Sequence, residues 1–236
     1  MPVAEPGVGV ETVDLATTPL RELNARLHGA GGAGIASRWR VVHPHGAHAV
    51  AVGIDAEIEV DVDGHVGYYC AGMNQLATVR VHGNAGVGLA ENIMSGRVEV
   101  DGYAGQSCAA TGRGGLVVVR GDASARCGIS MKGVDIVICG SVGHMSAFMA
   151  QKGRLVVLGD AGEALGDSLY EAHLYVRGRV ESLGADCIEK ELRPEHVAEL
   201  REVLATAGVD ADPAGFRRYG SARRLYNFHI DNVGSY

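Results

Sequence analysis

The sequence predicts an all-β chain: a right-handed parallel β-helix, one strand per turn, wound in coils of nineteen residues with a short helix towards each end. Three observations predict it. Gly64, Gly83, Gly102, Gly121, Gly140, Gly159 and Gly178 stand nineteen residues apart without a gap. Other columns keep the same register. Two residues before each glycine are Val62, Val81, Val100, Val119, Ile138, Val157 and Val176, and four before are Val60, Val79, Val98, Val117, Ile136, Leu155 and Leu174. Finally, glycine is abundant at 35 of 236 residues, roughly twice the usual ~7%, while aromatics are only 5%. Self-similarity at a fixed short period is the mark of a solenoid.

The columns read as physics. Apolar residues alternate with residues such as Arg80, Glu99 and Arg120, which is period two and a strand with one buried face. The β-branched bias favours strand over helix. The recurring glycine ends the strand, where a positive φ or a tight corner is expected. Seven residues after it stand Ala71, Ala90, Ala109, Gly128, Ala147, Gly166 and Ala185, all tiny, so the coil interior is narrow there. One such unit cannot bury its face alone; stacked neighbours bury it. Hexapeptide β-helices do not fit, because nineteen is not a multiple of six. Leucine-rich and calcium-binding nonapeptide patterns are absent.

The elements follow in order. Residues 1–57 form a helix and leading strands that cap the rod. Thr18-Pro19 starts a helix over about 19–28 with Leu20, Leu23 and Leu27 on one stripe. Gly29 to Gly34 is a loop. Trp39-Arg40-Val41-Val42 and Ala49-Val50-Ala51-Val52 are the leading strands. Residues 58–190 hold about seven coils. In 191–236, Pro194 begins a second helix over about 194–206, with Val197, Leu200 and Leu204 on one face, followed by a tail rich in Arg and aromatics. A solenoid's open ends need covers, and both helices are expected to supply them.

Composition excludes several functions. With 47% hydrophobic and 21% charged residues the chain is globular rather than disordered. A net charge of -7 argues against binding a phosphate backbone. No apolar run reaches membrane-spanning length, and the acidic N-terminus has no secretory pattern. Five cysteines without a C-x-x-C pair suit a reducing cytoplasm, the compartment expected here.

Several residue groups suggest chemistry. Gly29-x-Gly31-x-x-Gly34 spells a dinucleotide fingerprint, but a helix precedes it and a strand follows, the reverse of the context that phosphate binding needs. Cys108 and Cys127 fall on adjacent coils in one column with Cys70, Leu89, Ser146 and Leu165. They are either a thiol pair, half a metal site, or part of an inward core ladder, where buried Cys acts as a small hydrophobe. His43, His45 and His48 form H-x-H-x-x-H, in which His43 and His45 on one strand face would suit zinc, but no fourth ligand is near; surface histidines are the other reading. Asp122, Asp160 and Asp167 fall at corners and form no catalytic ridge. The tail holds Phe216, Arg217, Arg218, Tyr219, Arg223, Arg224, Tyr226 and Phe228. That is an interface-like composition, and it either docks a partner or folds back on its own rod.

The segments Gly67-Tyr68-Tyr69-Cys70-Ala71-Gly72-Met73-Asn74, Asn92-Ile93-Met94-Ser95-Gly96, Gly128-Ile129-Ser130-Met131-Lys132-Gly133 and Gly140-Ser141-Val142-Gly143-His144-Met145 resemble the GXGXG domain. That β-helix ends the large subunit of glutamate synthase and also occurs in formylmethanofuran dehydrogenase. The tail Phe216-Arg217-Arg218-Tyr219-Gly220-Ser221-Ala222-Arg223, with Leu225-Tyr226-Asn227-Phe228, resembles the free-standing version, the β-helical subunit of N-methylglutamate synthase and its relatives. The resemblance spans nearly the whole chain. It implies two partners: a class II glutamine amidotransferase-like subunit with an N-terminal Cys, and an FMN-binding glutamate synthase-like subunit that usually carries iron–sulfur clusters. It implies no catalytic residue and no cofactor on the β-helix itself, in keeping with Pro2 where the amidotransferase nucleophile would stand. It leaves open whether the complex uses methylamine or glutamine-derived ammonia.

Overall fold

The computed structural model describes residues 9–30 and 36–224. Nine parallel strands stack in chain order: β1 (Val10–Asp14), β2 (Arg38–Val42), β3 (Glu59–Asp63), β4 (Thr78–Val81), β5 (Arg97–Val100), β6 (Leu116–Val119), β7 (Lys132–Ile138), β8 (Lys152–Val157) and β9 (His173–Val176). From β3 to β9 the register is the sequence period: Val60 pairs with Val79, Val79 with Val98, and so on to Leu174. A second ladder of single bridges runs through Val66, Ala85, Ala104, Ala123, Val142, Ala161 and Val180. The chain is a parallel β-solenoid of about seven such turns, and β1 and β2 extend its sheet with looser offsets of 28 and 21 residues. At the far end β11 (Arg217–Ser221) pairs antiparallel with β9, and β10 (Cys187–Lys190) pairs antiparallel with β11.

The glycine column has a different cause from the expected one. Only Gly64 has a positive φ, +136°. The others are glycine because backbone lies on backbone. A Cβ on Gly83 would sit 2.6 Å from the Gly64 carbonyl carbon, and one on Gly159 would sit 2.7 Å from that of Gly140. The glycines bond to each other up the rod, Gly102 N–H to Gly83 O at 2.9 Å and Gly121 N–H to Gly102 O at 2.9 Å. A second column three residues on, with Gly67, Gly86, Gly105, Gly143 and Gly162, is stacked in the same way, and only Ser124 interrupts it.

Left-handed backbone lies elsewhere, in residues that are mostly not glycine. In six successive coils the fifth, seventh and ninth residues after the column glycine all have positive φ, as in Tyr69, Ala71 and Met73 or Ser107, Ala109 and Thr111. Each such residue other than Gly88, Gly128 and Gly166 is disfavoured by about 1–2 kcal/mol in isolation. The stack imposes the conformation through bonds to adjacent coils, such as Ala109 N–H to Leu89 O at 2.7 Å and Ala147 N–H to Cys127 O at 2.7 Å. The middle position of the three is the tiny, fully buried column, so there is no room for a larger side chain.

The two ends are closed differently. Helix α1 (Leu20–His28) puts Leu23 and Leu27 into the main core and covers the first coil. In later coils the carbonyls of Gly72 and Glu91 accept N–H groups from the coil before. The first coil has no coil before it, and His28 Nε2–H donates to Val52 O at 2.6 Å instead. Asn24 Nδ2 similarly donates to Ala49 O. Trp39 is buried at this end and Tyr219 at the other, so two of the scarce aromatics fill the places where the thin core would gape.

Helix α2 (Pro194–Thr206) does not cap the end, contrary to expectation. It lies along the flank, on the outer face of β6–β9, where Leu200, Val203 and Leu204 pack with Leu116, Val118, Val137, Val156 and Tyr175. The outward column explains the choice. It reads Asp61, Arg80, Glu99, then Val118, Val137, Val156, Tyr175. The first half faces water and carries ion pairs such as Arg40–Asp63 and Arg80–Glu59; the second is a strip that needs a cover. The last turn of α2 has no basic residue of its own. Arg97 Nη1 donates to Thr206 O at 2.6 Å and Arg120 Nη2 to Ala207 O at 3.2 Å. Cations at a helix C-terminus are worth about 0.3–1 kcal/mol each. Arg97→Ala and Arg120→Ala are therefore each expected to lower the urea-unfolding free energy by about that amount. Unchanged midpoints would remove this role.

Candidate interaction surface

The residues singled out in the sequence separate cleanly. The side chain after most of the column glycines caps the corner above it, with Tyr103 and Arg179 as the exceptions. Asn84 Oδ1 accepts from Tyr103 N–H at 2.9 Å, Asp122 Oδ1 from Ser141 N–H at 2.7 Å, Ser141 Oγ from Asp160 N–H at 3.0 Å and Asp160 Oδ1 from Arg179 N–H at 2.7 Å. Asp167 Oδ2 accepts from Ala185 N–H in like manner. These corner acids are fastenings between coils.

Cys70, Cys108 and Cys127 are fully buried in the main core, and all five cysteines are free. Burial pushes the Cys70 thiol up to about 12. Contact with Cys108, then burial, raises the Cys127 thiol well above the ordinary range. Such thiols are poor nucleophiles and poor ligands. The inward core ladder is thus the reading that fits.

His43 and His45 do not share a strand face. β2 stops at Val42, and both histidines sit at the corner with positive φ. Their rings stack at 5.8 Å, and His43 Nδ1 meets Asp14 Oδ1 at 2.9 Å. His48 lies elsewhere; it stacks on Tyr68 and its Nδ1 accepts the Tyr68 N–H. Among the described residues no group of three His, Cys, Asp or Glu side chains is placed to hold a metal. Gly31 and Gly34 of the glycine fingerprint lie outside the described residues.

The tail folds back on the rod as far as it is described. Arg217 Nη2 donates to Gly178 O at 2.7 Å, Tyr219 is buried in the core, and Arg223 Nη2 meets Glu171 Oε2 at 2.6 Å. The backbone of Arg224 is held by Asp186 Oδ1. Tyr226 and Phe228 lie outside the described residues.

Under the N-terminal half of α2 is a polar clamp. Glu199 accepts from the Tyr175 hydroxyl at 2.9 Å and meets His173 Nδ1 at 3.0 Å, while His196 packs edge-on against His173. Burial alone would raise the Glu199 carboxyl, but the bonds from His173 and Tyr175 outweigh it and hold the group below its ordinary value. Burial, then the bond to Glu199, drives the Tyr175 hydroxyl well upward. The clamp fixes α2 to the sheet.

A group of large apolar side chains also faces outward. Tyr68, Tyr69, Met73 and Leu76 of one coil, Met94 of the next and Tyr103 of the one after are all substantially exposed, Tyr103 by 58%. Tyr68 and Tyr69 meet edge to face with centroids 6.5 Å apart. Tyr68 lies over Gly86 and Tyr103 over Gly121, so the glycine columns form floors on which these rings rest, and Tyr69 lies over Gly88. Later coils replace this character: the Tyr68 column continues as Val87, Gln106, Ala125, His144 and Glu163. An exposed set of Tyr and Met on successive coils, with Met149 of the Met73 column exposed again further along, has the composition of an interface core. The surface is hidden in the sequence, where Tyr68 and Tyr69 read as members of a repeat rather than as outward residues.

A protein of Rhizobium meliloti (strain 1021) named Protein GlxC is 64% identical to this chain over 225 residues, 95% of this chain and 99% of that protein. No family model matches the chain. No solved structure matches it either.

Proposed function

The chain belongs to the family of Protein GlxC, and from that footing we propose that it is a β-helical scaffold subunit of a flavin-dependent complex of the glutamate-synthase type, with no catalytic residues of its own. The reaction proposed for the complex is that of N-methylglutamate synthase, methylamine and glutamate giving N-methylglutamate and ammonia. The partners are a class II glutaminase-like subunit and an FMN-binding, iron–sulfur-bearing subunit, all in the cytoplasm. The GXGXG-like segments support the family of complexes. The observation that carries the scaffold role is the exposed Tyr68, Tyr69, Met73, Leu76, Met94 and Tyr103 surface. It stands on a rod whose coils are filled by their own side chains. A rigid rod lets partners dock without first ordering their support, which lowers the entropy cost of assembly.

The test is purification of the tagged full chain from its native cells. An FMN-containing glutamate synthase-like polypeptide and a glutaminase-like polypeptide are expected with it, and the chain alone is expected to turn over nothing. Tyr69→Glu with Met73→Glu is expected to cut flavoprotein recovery at least tenfold, with stability changed by no more than about 0.5 kcal/mol, as is usual at exposed sites. Turnover by the isolated chain, or recovery of no flavoprotein, would overturn the proposal.

A further inference from the structure

The C-terminal end of the rod places cations together in a way that β-sheet energetics disfavours. Lys190 of β10 and Arg218 of β11 are directly opposite in the antiparallel register, and Arg218 is opposite Tyr175 of β9 on its other side. Tyr175 faces outward in the α2 cluster, so its two row neighbours lie on that same outer face. Like charges directly opposite each other destabilise a sheet pair. Neither residue forms an ion pair among the described residues. The carboxylates nearby are engaged elsewhere: Glu199 with His173 and Tyr175, Glu191 with Arg193, and Glu171 with Arg223.

Arg218 is the more telling of the two. Its Nη1 reaches Glu191 O at only 3.4 Å, and its Nε is buried without a hydrogen-bond partner. A buried guanidinium N–H left unpaired is costly, and each such group in a folded protein calls for a reason. Its charge is felt by its neighbours, since after burial it is the next cause that pulls His196 below its ordinary range.

Lys190 and Arg218 line one cleft with His173, Gly220 and the Glu171–Arg223 pair, of about 200 Å³. The Lys190 stem lies over Gly220, its Cγ and Cε each 3.6 Å from a notional Cβ there. That volume is below the ~300–1,000 Å³ of pockets for drug-sized ligands. It suits a phosphate or a short carboxylate. We propose that this cleft binds a small free oxyanion, held bidentately by the Arg218 guanidinium and by the Lys190 ammonium. Such a ligand relieves the opposed charges and gives the Arg218 Nε–H an acceptor. The site is independent of the apolar surface and of the scaffold reading.

The experiment is calorimetric titration of the full chain at fixed ionic strength in chloride, once with inorganic phosphate and once with succinate. Saturable one-site binding of at least one is expected. Arg218→Gln and Lys190→Gln are each expected to weaken it at least tenfold, whereas Arg201→Gln, on the exposed side of α2, leaves it unchanged. Lys190→Gln, at the sheet edge, serves even where Arg218→Gln disturbs β11. No saturable binding of either anion, or equal binding by the Lys190 variant, would overturn the proposal; the former would also leave an acidic group of a protein partner as the counter-charge.

Discussion

Gly83→Ala is expected to cost about 3 kcal/mol or more, enough to unfold a marginal chain, and urea denaturation of the purified variant reads it directly. The added methyl would lie 2.6 Å from the Gly64 carbonyl carbon, 2.7 Å from its oxygen and 2.9 Å from the His65 nitrogen. All three are backbone atoms, which cannot swing aside as a side-chain terminus can. Gly83 has no positive φ, so the loss is steric and not a matter of alanine's backbone preference. Relief would need the coil to lift, but Gly83 O is tied to Gly102 N–H at 2.9 Å, and every coil above inherits the shift. Gly215→Ala is the contrast. Its nearest neighbours are Arg177 side-chain carbons at 3.8 Å, and a change within about 0.5 kcal/mol is expected. Similar losses for the two variants would show that close backbone stacking is not what selects the glycine column.

The period and the strand faces were legible in the sequence because they rest on local alternation multiplied by stacking. Val60, Val79 and Val98 announce both their strand and their neighbours. The extents of α1 and α2 were legible too, since Pro19 and Pro194 and the leucine spacing are local signals. The left-handed residues were not. Ala71, Thr111 and Arg126 are held at positive φ by bonds to the coils on either side, and nothing in their side chains betrays it. The lodging of α2 was legible in principle. The change from Asp61, Arg80 and Glu99 to Val118, Val137 and Val156 marks where solvent gives way to a cover. The surface formed by Tyr69 and Met73 was hidden for a related reason: with three left-handed residues in the turn, strand alternation does not say which way they face.

Leu200→Asp is expected to release α2 while leaving the rod wound. Leu200 is fully buried between the helix and the strip of Val118, Val137, Val156 and Tyr175. An aspartate there would be an unpaired buried charge, with a cost of about 3–5 kcal/mol. The Glu199 clamp and the Arg97 and Arg120 bonds to the last turn together amount to a few surface-type interactions and do not offset that. The rod's own core forms a separate cluster on the inner face, from Val60 through Ile136 to Leu174, and it contains no residue of α2. In a stack where each coil leans chiefly on its neighbours, losing a lateral helix need not propagate along the axis. Hydrogen exchange should therefore show the α2 amides and the outer edges of β6–β9 losing protection, with β3–β5 unchanged. The uncovered valine strip should make the variant self-associate on size-exclusion chromatography, in the manner of any large exposed apolar face. Simultaneous loss of protection across β3–β5 would mean that the helix and the solenoid form one cooperative unit, and that the two hydrophobic clusters are not separable.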